Sequence, residues 1–114
     1  MDWTPVTDFK ELVSGGGANV DLDIGPVPEG LVWVLNHVAA EDETTAFTEL
    51  RVGIVRGLSF VPLESHQSPA AGVLYFSPDP WYVQEGEFIR ARFKGSLLSD
   101  KLHLRVNGRA VSLR

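Results

Sequence analysis

The chain has no cysteine, so neither a disulfide framework nor a thiolate metal site can be built from it. No apolar run approaches the roughly eighteen residues of a membrane span, and no membrane partner is expected. The opening residues, MDWTPVTDF, lack the basic flank and apolar centre of a secretory signal. Sustained helical periodicity is absent. Basic residues are scarce over most of the length. Residues 1–89 hold fourteen Asp and Glu against Lys10, Arg51 and Arg56, whereas residues 90–114 hold seven Lys and Arg against Asp100 alone. A split this strong calls for an explanation. Either folding interleaves the two signs across a solvated surface, or a basic face docks on an acidic partner or a neighbouring subunit.

What is present is a set of short apolar runs punctuated by Gly and Pro. The 114 residues, eleven of them aromatic, suffice for one domain that buries about two thirds of its unfolded surface. Val20, Leu22 and Ile24 alternate with Asn19, Asp21 and Asp23, the pattern of a half-buried strand with an acidic outer face. Residues 31–39, LVWVLNHVA, begin apolar on both faces. A strand with one solvated face does not look like this, so it is expected to be central, with its second face covered by the N-terminal segment, a loop or another subunit. Residues 46–56 place Leu50, Val52 and Ile54 inward, with Gly53 marking a bulge or a close approach. Further strands are expected over residues 58–61, 72–76 and 81–83. The acidic turn 41–45 is expected to be solvated. Asn107-Gly108 has the composition of a two-residue hairpin and predicts a separate strand over 109–114.

Residues 1–8 predict an extended arm whose Trp3 tucks back onto the core or docks on a neighbour, tucking back being favoured. Residues 9–13 fit either one helical turn or a short strand. Gly15-Gly16-Gly17 lacks the Lys and Ser or Thr of a phosphate loop and reads as a linker. The domain plan is therefore an arm and linker over 1–17 and a β-sandwich over 18–114. About ten-residue spacing of strands and turns predicts an all-β fold, an antiparallel, jelly-roll-like sandwich with an extended N-terminal arm.

The stretch 86–106 sets a charge problem. Ile89, Ala91 and Phe93 alternate with Arg90, Arg92 and Lys94; Leu102, Leu104 and Val106 alternate with Lys101, His103 and Arg105. Paired as one hairpin with apolar faces aligned, these strands would set like charges opposite one another, which destabilises a sheet. Either the two strands lie in different sheets, or acids from another strand neutralise them; Asp21 and Asp23 are the internal candidates. Between them, Leu97-Leu98 forms a tip that is either tucked under the sandwich, the favoured reading, or exposed to a partner.

Catalytic and metal motifs do not emerge. His37, His66 and His103 are scattered without metal-pair spacing and read as a half-buried, a loop and a surface histidine. Ser65 and His66 lack a nucleophile elbow. No cofactor, metal or catalytic residue is expected, and the chain is not read as an enzyme.

The phrases VPEGLVWVLNHV, ELRVGIVRG, YVQEGEFIRARFKG and DKLHLRVNG, taken together, resemble small jelly-roll or β-sandwich virion proteins of tailed bacteriophages, over roughly residues 25–110. The resemblance implies a capsid decoration or cement protein, or an accessory head or tail piece. It also implies a homo-oligomer, often a trimer in such proteins, bound to the major capsid protein or another virion protein in particles assembled in the host cytoplasm. It carries over no functional residues. The residues expected to make partner contacts, from exposure and charge, are Trp3, Leu97, Leu98, Arg90, Arg92, Lys94, Lys101 and Arg105. A carbohydrate-binding or host-recognition module, using Trp33, Trp81 and Tyr82 as aromatic platforms, is the alternative. Nucleic-acid binding through the basic residues is disfavoured by the net charge of −5.

Overall fold

The computed structural model describes residues 3–77 and 79–113. Met1 and Asp2 of the expected arm, Pro78 of the 77–80 turn and Arg114 of the last strand lie outside the described residues. The rest is an antiparallel β-sandwich of nine strands: β1 (Trp3–Val13), β2 (Asn19–Ile24), β3 (Leu31–Asp42), β4 (Glu49–Arg56), β5 (Ser59–Gln67), β6 (Tyr75–Ser77), β7 (Trp81–Val83), β8 (Phe88–Lys94) and β9 (Lys101–Ser112). One sheet has the order β1-β9-β3-β6, with β7 also paired to β3; the other has the order β2-β8-β4-β5.

The pairings nest. β4 pairs with β5, β3 with β6 and β7, β2 with β8, and β1 with β9. The chain is thus folded as one long antiparallel hairpin whose successive rungs fall in alternate sheets. Each strand's apolar alternation fits this arrangement, because only one face of each sheet meets the other. Leu22, Leu50, Ile89, Ala91 and Phe93 from the second sheet meet Leu35, Val38, Val83, Leu102, Leu104 and Val106 from the first, all at most 2% exposed. Burying each of the larger side chains contributes about 1.5–3 kcal/mol. Phe47, from the β3–β4 connection, tilts against Phe93 with ring centroids 5.5 Å apart.

The charge problem of 86–106 is solved in both of the ways open to it. β8 and β9 lie in different sheets. In addition, β2 pairs with β8 in a register that sets Asp21 opposite Arg92 and Asp23 opposite Arg90.

Several sequence expectations are corrected, among them the short strand over 58–61 and the loop His66: β5 runs on through Pro62 to Gln67 and pairs His66 with Leu50. Asn107-Gly108 is not a turn: β9 runs unbroken through both, pairing Gly108 with Leu35 on one side and Val6 on the other. Residues 3–8 are not a separate arm, and residues 9–13 take the strand rather than the helical alternative; together they form a single strand paired with β9 along its whole length. The apolar run 72–76 yields only the three-residue β6, with Val73 and Leu74 exposed ahead of it. The acidic turn is not fully solvated, since Asp42 is completely buried at the end of β3. Gly53 fits its expectation on both counts, lying at a register shift and so close to β5 that a Cβ would stand 2.0 Å from the Val61 carbonyl oxygen.

Candidate functional site

The two outer faces of the sandwich differ in kind. On the second sheet, Arg90 makes two parallel hydrogen bonds to Asp23 at 2.8 and 2.9 Å, and Arg92 makes two to Asp21 at 2.9 and 3.1 Å. Hydrogen bonding to these carboxylates holds both guanidiniums further toward the charged form, against a smaller opposing effect of burial. Phe60 of β5 packs under both, its ring centroid 4.8 Å from the Arg92 guanidinium carbon and 5.8 Å from that of Arg90. Arg51 is placed directly opposite Arg92 and bonds instead to Glu49 at 2.9 Å. This face is a lattice of paired charges, content in water.

The first sheet's outer face mixes exposed aromatic and apolar side chains with polar ones. Residues directly opposite in an antiparallel pair share a face, so the register of β1, β9 and β3 puts Trp3, Val111 and Val32 in one row. Thr7 and Asn107 share another row, and Phe9, Arg105 and Ala39 a third. Tyr82 lies opposite Val34, and Phe76 opposite Ala39. Trp3, Phe76 and Tyr82 are 60%, 57% and 64% exposed. Open depressions lie beside two of them, one lined by Trp3, Thr7, Asn36, Asn107, Gly108 and Arg109, another by Val32, Tyr82, Gln84, Glu85 and Leu113. His37 stacks on Phe76 and the Arg105 guanidinium sits over Phe9. Large aromatic side chains left exposed on one sheet face mark an interaction site more often than a solvated face does.

β1 sharpens the point. It forms an eleven-residue ladder with β9 and leaves its other edge unpaired among the described strands. Within it, Val6 alone packs against the core, and every other side chain is exposed. Pro5, Asp8, Lys10 and Glu11 give the edge the proline and charges with which proteins discourage indiscriminate strand addition.

The residues expected to make partner contacts do not form one surface. Arg90, Arg92 and Lys94 lie on the outer face of the second sheet, while Trp3, Lys101 and Arg105 lie on that of the first. Leu97 and Leu98 are 58% and 72% exposed at the tip of the β8–β9 connection, so the favoured tuck is corrected to an exposed pair. Of the three aromatics considered as a sugar platform, Trp81 is buried with its Nε1–H donating to Ser77 Oγ at 2.9 Å. Trp33 is half-buried against the core, and only Tyr82 faces out.

The tip is anchored from below. Ser14 donates its N–H to the Asp100 carbonyl and accepts from the Ser99 N–H, both at 2.8 Å, tying the β1–β2 link to the β8–β9 connection. Beside it, the carboxyls of Asp42 and Asp100 are both buried and act on each other, and Asp42 Oδ2 has no other hydrogen-bond partner, so a proton on Asp42 would let the two share it. Burial, then this contact, pushes Asp42 up to about 6, although the Thr44 and Thr45 N–H groups pull the other way. Asp100 is held below the ordinary carboxylate value. Its own burial opposes this and is outweighed by the adjoining Asp42 carboxyl and by hydrogen bonds from the Thr45 hydroxyl and the Leu97 N–H.

His103, expected at the surface, is buried, and among the described residues it joins Glu41 and Glu43 in the one group with ligand atoms close enough to share an ion, all within 4.8 Å of one another. The sequence gives no spacing signal for this group, because His103 lies sixty residues from Glu43 and only the β3–β9 register brings them together. The aromatic face escaped sequence reading for a related reason. Trp3, Phe76 and Tyr82 come from three separate segments, none of which alternates cleanly.

No protein family matches this chain, and no curated protein or solved structure does either.

Proposed function

We propose that the chain is a non-enzymatic assembly module that self-associates through the outer face of its first sheet. Its resemblance to small virion proteins of tailed bacteriophages makes a capsid decoration or cement protein the role it fits best. The observation that carries the reading is the contrast between the two outer faces. One sheet neutralises its charges internally by paired Arg and Asp. The other leaves Trp3, Phe9, Phe76 and Tyr82 exposed and Val32 and Val34 half-buried, beside a strand that buries almost nothing of its own. A second copy laid on that face would give β3 the second cover that its two-sided apolar sequence calls for.

The strand order supports the virion reading further. Nested pairing of β1 with β9, β2 with β8, β3 with β6 and β7, and β4 with β5 across a five-stranded and a four-stranded sheet is the pattern we read as a jelly roll, an architecture used in capsid proteins. The exposed Leu97-Leu98 tip is the second contact we assign, directed at the capsid lattice, where many weak contacts add through avidity. The carbohydrate-binding alternative loses support, since Trp33 and Trp81 face the core. Nucleic-acid binding loses it too, since the basic side chains are divided between opposite faces.

The test is co-sedimentation of the purified chain with capsids of the phage that encodes it, alongside sedimentation equilibrium of the chain alone. Saturable binding by an oligomer supports the reading. A strictly monomeric chain that stays in the supernatant contradicts it.

A further inference from the structure

We propose that His103, Glu43 and Glu41 form a binding site for a divalent transition-metal ion of the Zn2+ class, oriented by Glu11. The site is built by register. Three strands of the first sheet run β1-β9-β3, and Glu11, His103 and Glu41 stand directly opposite one another across them, on the same outer face. Glu43 follows two residues after Glu41, just past the end of β3, so its side chain returns to the same side.

His103 is the centre of this arrangement and is 8% exposed. Its Nε2 faces Glu43 Oε2 at 2.7 Å. Its Nδ1 is buried, has no hydrogen-bond partner, and lies 3.6 Å from Glu11 Oε2, slightly too far for a hydrogen bond. A buried ring nitrogen left in this way is destabilising, and it is the feature that a purely structural histidine would not be expected to keep.

Metal binding removes the defect. A metal-ligating histidine characteristically donates its second ring N–H to a carboxylate, which fixes the tautomer and orients the ring. Here Nδ1–H would donate to Glu11 after a closure of a few tenths of an ångström, freeing the Nε2 lone pair for the ion. Glu43 and Glu41 would then supply oxygens. Zinc binds histidine nitrogen and carboxylate oxygen at about 2.0–2.2 Å, so ligand atoms now up to 4.8 Å apart must draw together by roughly an ångström. The flexible Glu43 and Glu41 side chains at the rim can make that movement. The mixed nitrogen and oxygen set favours a borderline transition ion over Ca2+ or Mg2+, which take oxygen ligands. The ion would displace the Lys101 ammonium, now 4.0 Å from Glu43 Oε1. With three protein ligands, one position stays open to water or to a donor from another molecule. Because Glu11 belongs to β1, occupancy would also secure that lightly held strand to β9.

The experiment is calorimetric titration of the full-length chain with ZnCl2, repeated with MgCl2, and with CoCl2 followed by visible absorption. The proposal expects one Zn2+ per chain, no comparable binding of Mg2+, and a tetrahedral Co2+ spectrum that Zn2+ abolishes. Glu43→Gln and Glu41→Gln, both at the rim and outside the core, should each weaken binding at least about tenfold. Glu11→Gln should weaken it about tenfold while keeping the stoichiometry. His103→Asn should abolish binding, and if that variant fails to fold the two rim variants decide. Absence of Zn2+ binding overturns the proposal, as does binding that survives both Glu43→Gln and Glu41→Gln unchanged.

Discussion

Gly108 lies against Val34 so closely that a Cβ on it would stand 2.1 Å from the Val34 carbonyl oxygen and 2.7 Å from the Leu35 Cα. The glycine is there because β3 shifts register between Leu35 and His37 and presses its backbone onto β9. Gly108→Ala should therefore separate the two central strands of the first sheet and destabilise the fold by about 3 kcal/mol. Denaturant unfolding followed by tryptophan fluorescence measures it. A loss under about 0.5 kcal/mol would mean that the strands do not approach in this way.

The Asp42–Asp100 pair makes stability depend on pH in a definite direction. Asp42 keeps its proton up to about 6 in the folded chain, against about 3.9 when unfolded. The folded state thus binds more protons between those values. The stabilisation is full below pH 4 and is lost as pH rises through 6. Asp100 works oppositely, its contribution being lost as pH falls below the ordinary carboxylate range. The free energy of unfolding should be higher at pH 5 than at pH 7.5, by on the order of 1–2 kcal/mol from Asp42. Asp42→Asn can donate to Asp100 at every pH and should flatten that slope. An unchanged slope in the variant would exclude the shared proton.

The charged face should matter little to stability. The Arg92 and Asp21 side chains are 33% and 29% exposed, and ion pairs of this kind contribute about 0–1 kcal/mol. Asp21→Ala should cost less than about 1 kcal/mol in urea unfolding. Arg92→Ala should cost somewhat more, because it also uncovers Phe60. A larger loss in Asp21→Ala would show that the pairs hold the sheet together rather than merely neutralising it.

β1 should be the strand most responsive to assembly. Its backbone is paired on one side only and Val6 alone ties it to the core, so its amides should open at low free energy in dilute protein. Hydrogen exchange should be fast across residues 3–13 at low concentration and slow markedly as concentration rises. Protection equal to that of β8 and independent of concentration would contradict this.

Much of the fold was legible in residue alternation. Leu22, Ile24, Leu50, Val52, Ile89, Ala91 and Phe93 all face the core as their period-two pattern predicts, because each strand has one covered face. The like charges of 90–94 and 101–105 correctly required either separate sheets or acidic neighbours, since a hairpin register cannot tolerate them. Asn107-Gly108 misled because the same dipeptide serves a tight turn and a close backbone approach, and only Val34 on the neighbouring strand distinguishes them. His103 misled because its burial depends on Phe9 and Glu11 crossing over it from β1, ninety residues away in sequence. The site was less legible than the fold for the same reason: its side chains are gathered by register rather than by spacing.

The outer face of the first sheet is where the account is most exposed to test. Sedimentation velocity of the wild-type chain and of a Phe76→Ser, Tyr82→Ser variant, over about a hundredfold range of concentration, addresses it directly. Both substituted side chains are more than half exposed, so the variant should fold and melt like the wild type. The account predicts a wild-type sedimentation coefficient that rises with concentration to that of a defined oligomer, and a variant that remains monomeric throughout. A wild-type chain that is monomeric at every concentration, or a variant that associates as the wild type does, would contradict it.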